Sequence, residues 1–380
     1  MDFKPYIRAH ADELLQSLAA LIRIPSVEGT PEAGAPYGRE VARCLHETLA
    51  LCERLGFPTV NMDDRVGWCE YGKGEEMIAV LGHLDVVPAG DGWNAAAPFS
   101  GEVKDGRIYG RGTMDDKGPT VAALYALAAL KDAGFIPSRR IRILFGTNEE
   151  TGCDDMAWYL AHGGETPVMG FTPDGEYPII NGEKGIMNCV YSRRLEQTGP
   201  CRLLRFEGGT AANVSPAYAM AELACPADAA ARIQASKVTV TPIEGGIRVE
   251  AQGVSVHGST PEQGENAIGR LALALTQLPL EGELADCMAF LAGRIGMETH
   301  GESLGLAMRD DLSGDLTVNL GVAAFAEETL SLTLSVRYPV TKTYDGAHPR
   351  MERAFALGGF HETKMKHKAA IYMPPESELI

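Results

Sequence analysis

No apolar run in the chain approaches the roughly 20 residues that a membrane-crossing helix needs, which excludes a spanning segment. Basic residues are scarce: 34 Lys and Arg stand against 51 Asp and Glu, a formal net charge of -17. That balance disfavours nucleic acid as a partner and favours solubility. The opening residues MDFKPYIRAHADELL lack the basic segment and apolar core of a secretory signal, and they carry acids that transit peptides avoid. No Cys-x-x-Cys pair occurs among the eight cysteines, so neither a zinc knuckle nor a thioredoxin-like motif is suggested. A cytoplasmic protein with reduced thiols is the expectation. No exact internal repeat is visible.

What is present fits a two-domain globular chain. At 380 residues there is length for two domains and a substantial core. Residues 1–182 alternate helical and strand-like periods, as in an α/β domain with helices flanking a mainly parallel, twisted sheet. Within it the spacing predicts an amphipathic helix over 5–22, a helix over 39–55 and a hairpin through 103–109 turned by Asp105-Gly106. A buried helix is expected over 119–133. After Asn181 the pattern changes to shorter strands and helices, with helices expected at 216–223 and 264–278. Residues 183–372 therefore read as an inserted α+β domain of antiparallel sheet with helices on one face. Residues 373–380 read as the start of a return to the first domain.

Four strand-like runs end in residues of the kind that hold divalent metal. MIAVLGHLD reaches His83 and Asp85, IRILFGTNEE reaches Glu149 and Glu150, and VMGFTPD reaches Asp174, while Asp115 sits in the glycine-rich loop GRGTMDDKG. In open α/β sheets, sites form beyond the carboxyl ends of the strands, so these residues are expected to converge. A two-metal hydrolase needs a bridging carboxylate, terminal ligands and an unligated carboxylate beside the attacking water. Asp115 suits the bridge, because a glycine-rich loop can bring its carboxylate between two ions. His83, Glu150 and Asp174 suit terminal ligation of zinc or manganese. Asp85 is placed to support the His83 imidazole from behind. Glu149 is left as the base, since neighbouring side chains on an extended strand end point apart. Any one of these acids alone is more often a helix cap or a solvated loop residue. Their combination in one domain points to metal.

The motifs GHLDVVP (82–88), GRGTMDDKGP (110–119), NEETG (148–152) and FTPDG (171–175) resemble, in order and spacing, those of the aminoacylase and dipeptidase family of co-catalytic zinc peptidases. PIINGEKG (178–185) and the long second domain are most similar to the bacterial PepV-type dipeptidases. The resemblance covers essentially the whole chain. It implies a metal-binding catalytic domain with an inserted lid, and two divalent ions, zinc foremost with manganese or cobalt as alternatives. It also implies a cis Asp115–Asp116 peptide and a small-peptide substrate. A monomer is expected, because a long lid can supply what a partner subunit supplies in shorter relatives. The resemblance implies that His257 and Asn213 stabilise the oxyanion and that Arg337 holds the substrate carboxylate. By themselves those three residues read more readily as a loop histidine, a turn residue and a solvated strand end.

The family pattern further implies a fifth ligand, a histidine near the C-terminus. All nine histidines lie at 10, 46, 83, 162, 257, 300, 348, 361 and 367, and the last two fall in an expected strand of the lid. The expectation is therefore a truncated enzyme with reduced metal affinity and turnover. The leading function is hydrolysis of unblocked dipeptides. The alternatives are an N-acyl amino acid deacylase or desuccinylase, and a non-catalytic binder of peptide or metal.

Overall fold

A computed structural model of the chain describes residues 2–226 and 228–380. They fall into two units, one running to Ile179 and the other over Ile180–Glu378.

The first unit begins with two helices where the sequence suggests one, α1 (Lys4–Ala9) and α2 (Ala11–Ile22). The break falls at His10, whose imidazole Nε2 lies 2.8 Å from the Asp132 carboxylate. Next come α3 (Arg39–Arg54), β1 (Thr59–Met62), β2 (Val66–Tyr71) and β3 (Met77–His83). The short hairpin of β4 (Glu102–Lys104) and β5 (Arg107–Tyr109) closes through Asp105 and Gly106, both at positive φ, as its two-residue turn requires. The unit ends with α4 (Lys117–Asp132), β6 (Arg140–Gly146), α5 (Asp154–Ala161) and β7 (Met169–Phe171).

Its sheet has the order β1-β2-β6-β3-β7. Strands β6, β3 and β7 run parallel, whereas β1 and β2 join antiparallel at one edge, so the sheet is mixed. Helices cover both faces. On one, α2, α3 and α4 bury Leu21, Leu45, Leu124 and Tyr125 against Val80 and Ile143. On the other, Tyr159 of α5 packs with Val66, Met77 and Leu144. The alanine- and leucine-rich α4 is buried along most of its length, as its composition suggests.

The second unit contains β8 (Gly182–Glu183), β9 (Gly185–Arg194), β10 (Arg202–Gly208), β11 (Tyr218–Ala224), β12 (Val238–Ile243) and β13 (Gly246–Gln252). It continues with α6 (Ala267–Leu275), α7 (Gly282–Phe290), β14 (Arg309–Asp310), β15 (Gly314–Asp315), β16 (Thr317–Ala326) and β17 (Thr329–Tyr338). Helix α8 (Tyr344–Leu357), β18 (His361–Lys368) and β19 (Ile371–Tyr372) complete it. An eight-stranded antiparallel sheet, β12-β13-β11-β10-β16-β17-β9-β18, packs one face under the helices through Met187, Leu334, Val336, Ile268 and Phe355.

Two sequence expectations change here. Residues 216–223, read as a helix, form β11, which pairs on both sides with β10 and β13. A central place in the sheet overrides the helix propensity of its Ala, Met, Glu and Leu residues. Cys201 and Cys225 form a disulfide, where reduced thiols were expected, because the register of β10 on β11 brings their Cα atoms to 4.4 Å. Cys44, Cys52, Cys69, Cys189 and Cys287 are buried free thiols. Among the described residues no helix is long and apolar enough to cross a membrane.

Candidate metal centre

His83 is the last residue of β3 and is buried. Gly82 before it lies so close to α4 that a Cβ there would collide with Thr120 Oγ1 and come within 2.9 Å of Asp116 Oδ2. That approach lets the Asp116 carboxylate accept from the His83 backbone N–H (3.2 Å) and the Thr120 hydroxyl (2.8 Å). Asp116 thus makes no side-chain cap of α4; through Oδ2 it pins the glycine-rich loop to the strand end. The other side of the loop is anchored by buried Lys117, whose ammonium donates to the carbonyls of Leu21 (3.0 Å) and Ile24 (2.8 Å) at the end of α2. Between these anchors the Asp115–Asp116 peptide is cis, and Asp115 Oδ1 lies 3.0 Å from His83 Nε2. Asp174, just beyond β7, places Oδ2 3.6 Å from the same nitrogen.

Asp85 does more than support the imidazole. His83 Nδ1 lies 3.1 Å from the Asp85 carbonyl and 3.3 Å from its carboxylate. The same carboxylate accepts from the backbone N–H groups of Glu149 (3.2 Å) and Glu150 (3.1 Å). It therefore ties the end of β3 to the loop after β6. Glu149 and Glu150 lie in a turn, not on the extended strand end that the sequence suggests. Buried Asp155 fixes the approach to that turn by accepting from Thr147 N–H (2.6 Å) and Asn148 N–H (3.1 Å). Neither Asp116 nor Asp155 stands out in the sequence, since their roles arise only from tertiary contacts.

The electrostatics are those of crowded acids around one imidazole. Burial pulls the His83 pKa down, but hydrogen bonds to Asp115 and Asp85 outweigh it and raise the group to about 11. The His83 hydrogen bond holds Asp115 below the usual carboxylate range. Burial, with the Asp115 charge behind it, pushes Glu150 up to about 7, and burial also raises Glu149. Burial drives Asp116 to about 7.

These residues fit a divalent cation. The ligand atoms of His83, Asp115 and Glu150 lie within 4.8 Å of one another, and so do those of His83, Glu149 and Asp174. Glu150 Oε1 is buried with no hydrogen-bond partner, which leaves it available to a cation. Positive charge would also relieve the repulsion that lifts both glutamates.

Asn213, His257 and Arg337 belong to the second unit. Asn213 and His257 sit on adjoining loops: Val214 bridges to His257, and Gly258 N–H donates to the Asn213 carbonyl at 2.7 Å. Burial and then the Arg337 charge lower the His257 pKa. His257 Nδ1 lies 2.6 Å from Ser259 Oγ. Arg337 is half-buried on β17, and its Nε is buried without a partner.

The chain has clear relatives. The model of peptidase family M20/M25/M40 matches residues 79–354. YtjP of Bacillus subtilis (strain 168), a provisionally named dipeptidase, is 35% identical over 386 aligned positions, covering 97% of this chain and 83% of that protein. The Beta-Ala-Xaa dipeptidase of Lactobacillus delbrueckii subsp. lactis is 36% identical over 352 positions, covering 89% of this chain and 74% of that one. Among solved structures, the M20 family metallo-carboxypeptidase Sso-CP2 from Sulfolobus solfataricus superposes with a TM-score of 0.52 at 14% identity, over 96% of this chain and 80% of that one. The di-peptidase Dug1p from Saccharomyces cerevisiae gives 0.52 at 13% identity, over 99% and 81%. At such identities the two structures speak to the fold alone. Sequence, strand-end geometry and fold lead to one conclusion: the chain belongs to the peptidase family M20/M25/M40, hydrolases that use divalent metal.

Proposed function

We propose that the chain is a dipeptidase that holds two divalent ions, zinc foremost, and acts as a cytoplasmic monomer on short unblocked peptides. The observation that carries this is the convergence of His83, Asp115, Glu149, Glu150 and Asp174 beyond three parallel strands. The dipeptidase names of relatives at 35% and 36% identity support the substrate class. Bound there, divalent cations supply a polarising charge for a carbonyl oxygen and acidify water.

The residue roles proposed here are supported by the side-chain positions. Asp115, which reaches the common imidazole from the loop, would be the carboxylate shared by the ions, and His83 with Asp174, and Glu150 with its unpartnered oxygen, would hold them at the sides. Glu149 is the more exposed of the two glutamates, and its raised pKa suits a group that accepts a proton from the attacking water and passes it to the leaving amine. Asp85 fixes the imidazole and the glutamate turn together. In the second unit, Arg337 pairs with the substrate's terminal carboxylate, while Asn213 and His257 donate to the developing oxyanion.

Metal-loaded protein assayed against unblocked dipeptides, N-acyl amino acids and N-succinyl amino acids tests this. Hydrolysis of the dipeptides is expected. Cleavage confined to acylated compounds would transfer the site to deacylation, and binding without turnover would make it a binder.

A further inference from the structure

One face of the second unit's sheet carries polar side chains that the unit itself leaves unsatisfied. On β17, Leu334, Val336 and Tyr338 pack into the core beneath the helices, so Ser335 and Arg337 point to the opposite side. The register extends this across three strands. Arg337 stands opposite Thr317 on β16 and Ile186 on β9, and Ser335 stands opposite Asn319 and Asn188. Thr317 and Ser335 are buried, with exposures of 4% and 1%. Yet Thr317 Oγ1, Ser335 Oγ and Arg337 Nε have no hydrogen-bond partner among the described residues. Buried polar atoms are nearly always paired, by protein, water or ligand.

Lys184 belongs to the same surface. It lies two residues before Ile186, the strand partner of Arg337, and its ammonium donates to the Asp315 carbonyl at 2.6 Å. Asp315 in turn lies two residues before Thr317, so the lysine side chain crosses the sheet beside the Arg337–Thr317 pair. Burial first, and the Arg337 charge against it, lower the Lys184 pKa. Glu183, Asp310, Asp315 and Glu262 act on these cations through space, but among the described residues no carboxylate forms an ion pair with either. Two half-buried cations with no ion-pair partner, one of them already fixed by the Asp315 carbonyl, together with the unpartnered Arg337 Nε and Thr317 hydroxyl, form an anion site built in advance.

We propose that Lys184 and Thr317 complete, with Arg337, a preformed site for the free terminal carboxylate of a short peptide. This rests on the carboxylate role proposed for Arg337 and adds two specificity-determining residues to it. A carboxylate bound bidentately by the guanidinium has lone pairs left for the Thr317 hydroxyl, and the Lys184 charge adds attraction that a neutral carboxamide would not receive.

The test uses the metal-loaded full chain and two dipeptide analogues with a methyleneamine in place of the peptide bond, one ending in a carboxylate and one in a carboxamide. Calorimetry is expected to show the unaltered protein binding the carboxylate form about tenfold more tightly or better. Lys184→Met and Thr317→Val should each cut that preference by roughly three- to tenfold, with Lys184→Arg restoring most of it. Equal binding of both analogues, no binding of either, or an undiminished preference in both Lys184→Met and Thr317→Val would overturn the proposal. Failure to hydrolyse dipeptides with the preference intact would count against the dipeptidase reading and leave this site standing.

Discussion

At His83 an imidazole raised to about 11 in the metal-free protein meets four carboxylates. A cation binding there at neutral pH must displace that proton. Calorimetric titration with zinc in two buffers of different ionisation enthalpy should show net proton release, whereas equal apparent enthalpies would rule it out. The sign of the pH dependence follows from the same groups. Glu150 is raised from 4.5, and Asp116 from 3.8, to about 7. Between those values the folded metal-free chain holds more protons than the unfolded one, so their contribution to stability falls as pH rises. His83 acts in the same direction at higher pH: its stabilising contribution is complete below 6.5 and is lost progressively as pH rises from there towards 11. The gain in melting temperature on adding metal should therefore grow from pH 5.5 to 8. A flat or falling gain would contradict this. Asp85→Asn places an amide where two backbone N–H groups need an acceptor, and it should weaken metal binding by roughly 10- to 100-fold in an equilibrium titration. The convergence of His83, Asp85, Asp115, Glu149, Glu150 and Asp174 was legible because each motif carries its residue to a strand end, just past one, or into a glycine-rich loop, although the turn that holds Glu149 and Glu150 was not. Asp116 and Asp155 were not, because nothing local distinguishes a pinning carboxylate from a helix cap.

Among the elements, the pair that matters most to the metal centre is β3 and α4, held at short range by Gly82. Gly82→Ala would force Thr120 and Asp116 away from the strand, with a stability cost of about 1–3 kcal/mol, measurable by denaturant titration. It should also weaken metal binding, because Asp116 holds the loop that presents Asp115. Unchanged stability and affinity would show that α4 can shift without disturbing the site. Helix α4 and the Asp-Gly hairpin could be read from burial pattern and turn chemistry. Strand β11 could not, since YAMAELA satisfies a helix locally and becomes a strand only when β10 and β13 flank it. The break at His10, whose imidazole meets Asp132 far along the chain, likewise carries no local mark.

At the scale of the units, the five residues of the candidate metal centre fall between residues 83 and 174, within the first unit, while the further cluster of His348, Glu352 and Glu362 in the second unit is engaged in its own ion pairs, His348 Nε2 lying 2.8 Å from the Glu362 carboxylate. Metal should therefore stabilise the first unit selectively, by about 2.7 kcal/mol at a hundredfold excess over the dissociation constant. Hydrogen exchange read by mass spectrometry should show protection concentrated in residues 77–174; uniform protection of both units would contradict this. The α/β character, flanking helices and antiparallel second sheet followed from periodicity. The mixed first sheet did not, because β1 and β2 carry no local mark of their direction. The most direct test of the central claim compares dipeptide hydrolysis by the metal-loaded chain with that of Glu149→Gln at equal metal content. Amino acid release by the unaltered chain is expected, with a loss of roughly 10²- to 10⁴-fold in the variant and metal retained. Undiminished turnover in Glu149→Gln, or no dipeptide hydrolysis by the metal-loaded unaltered chain, would contradict it.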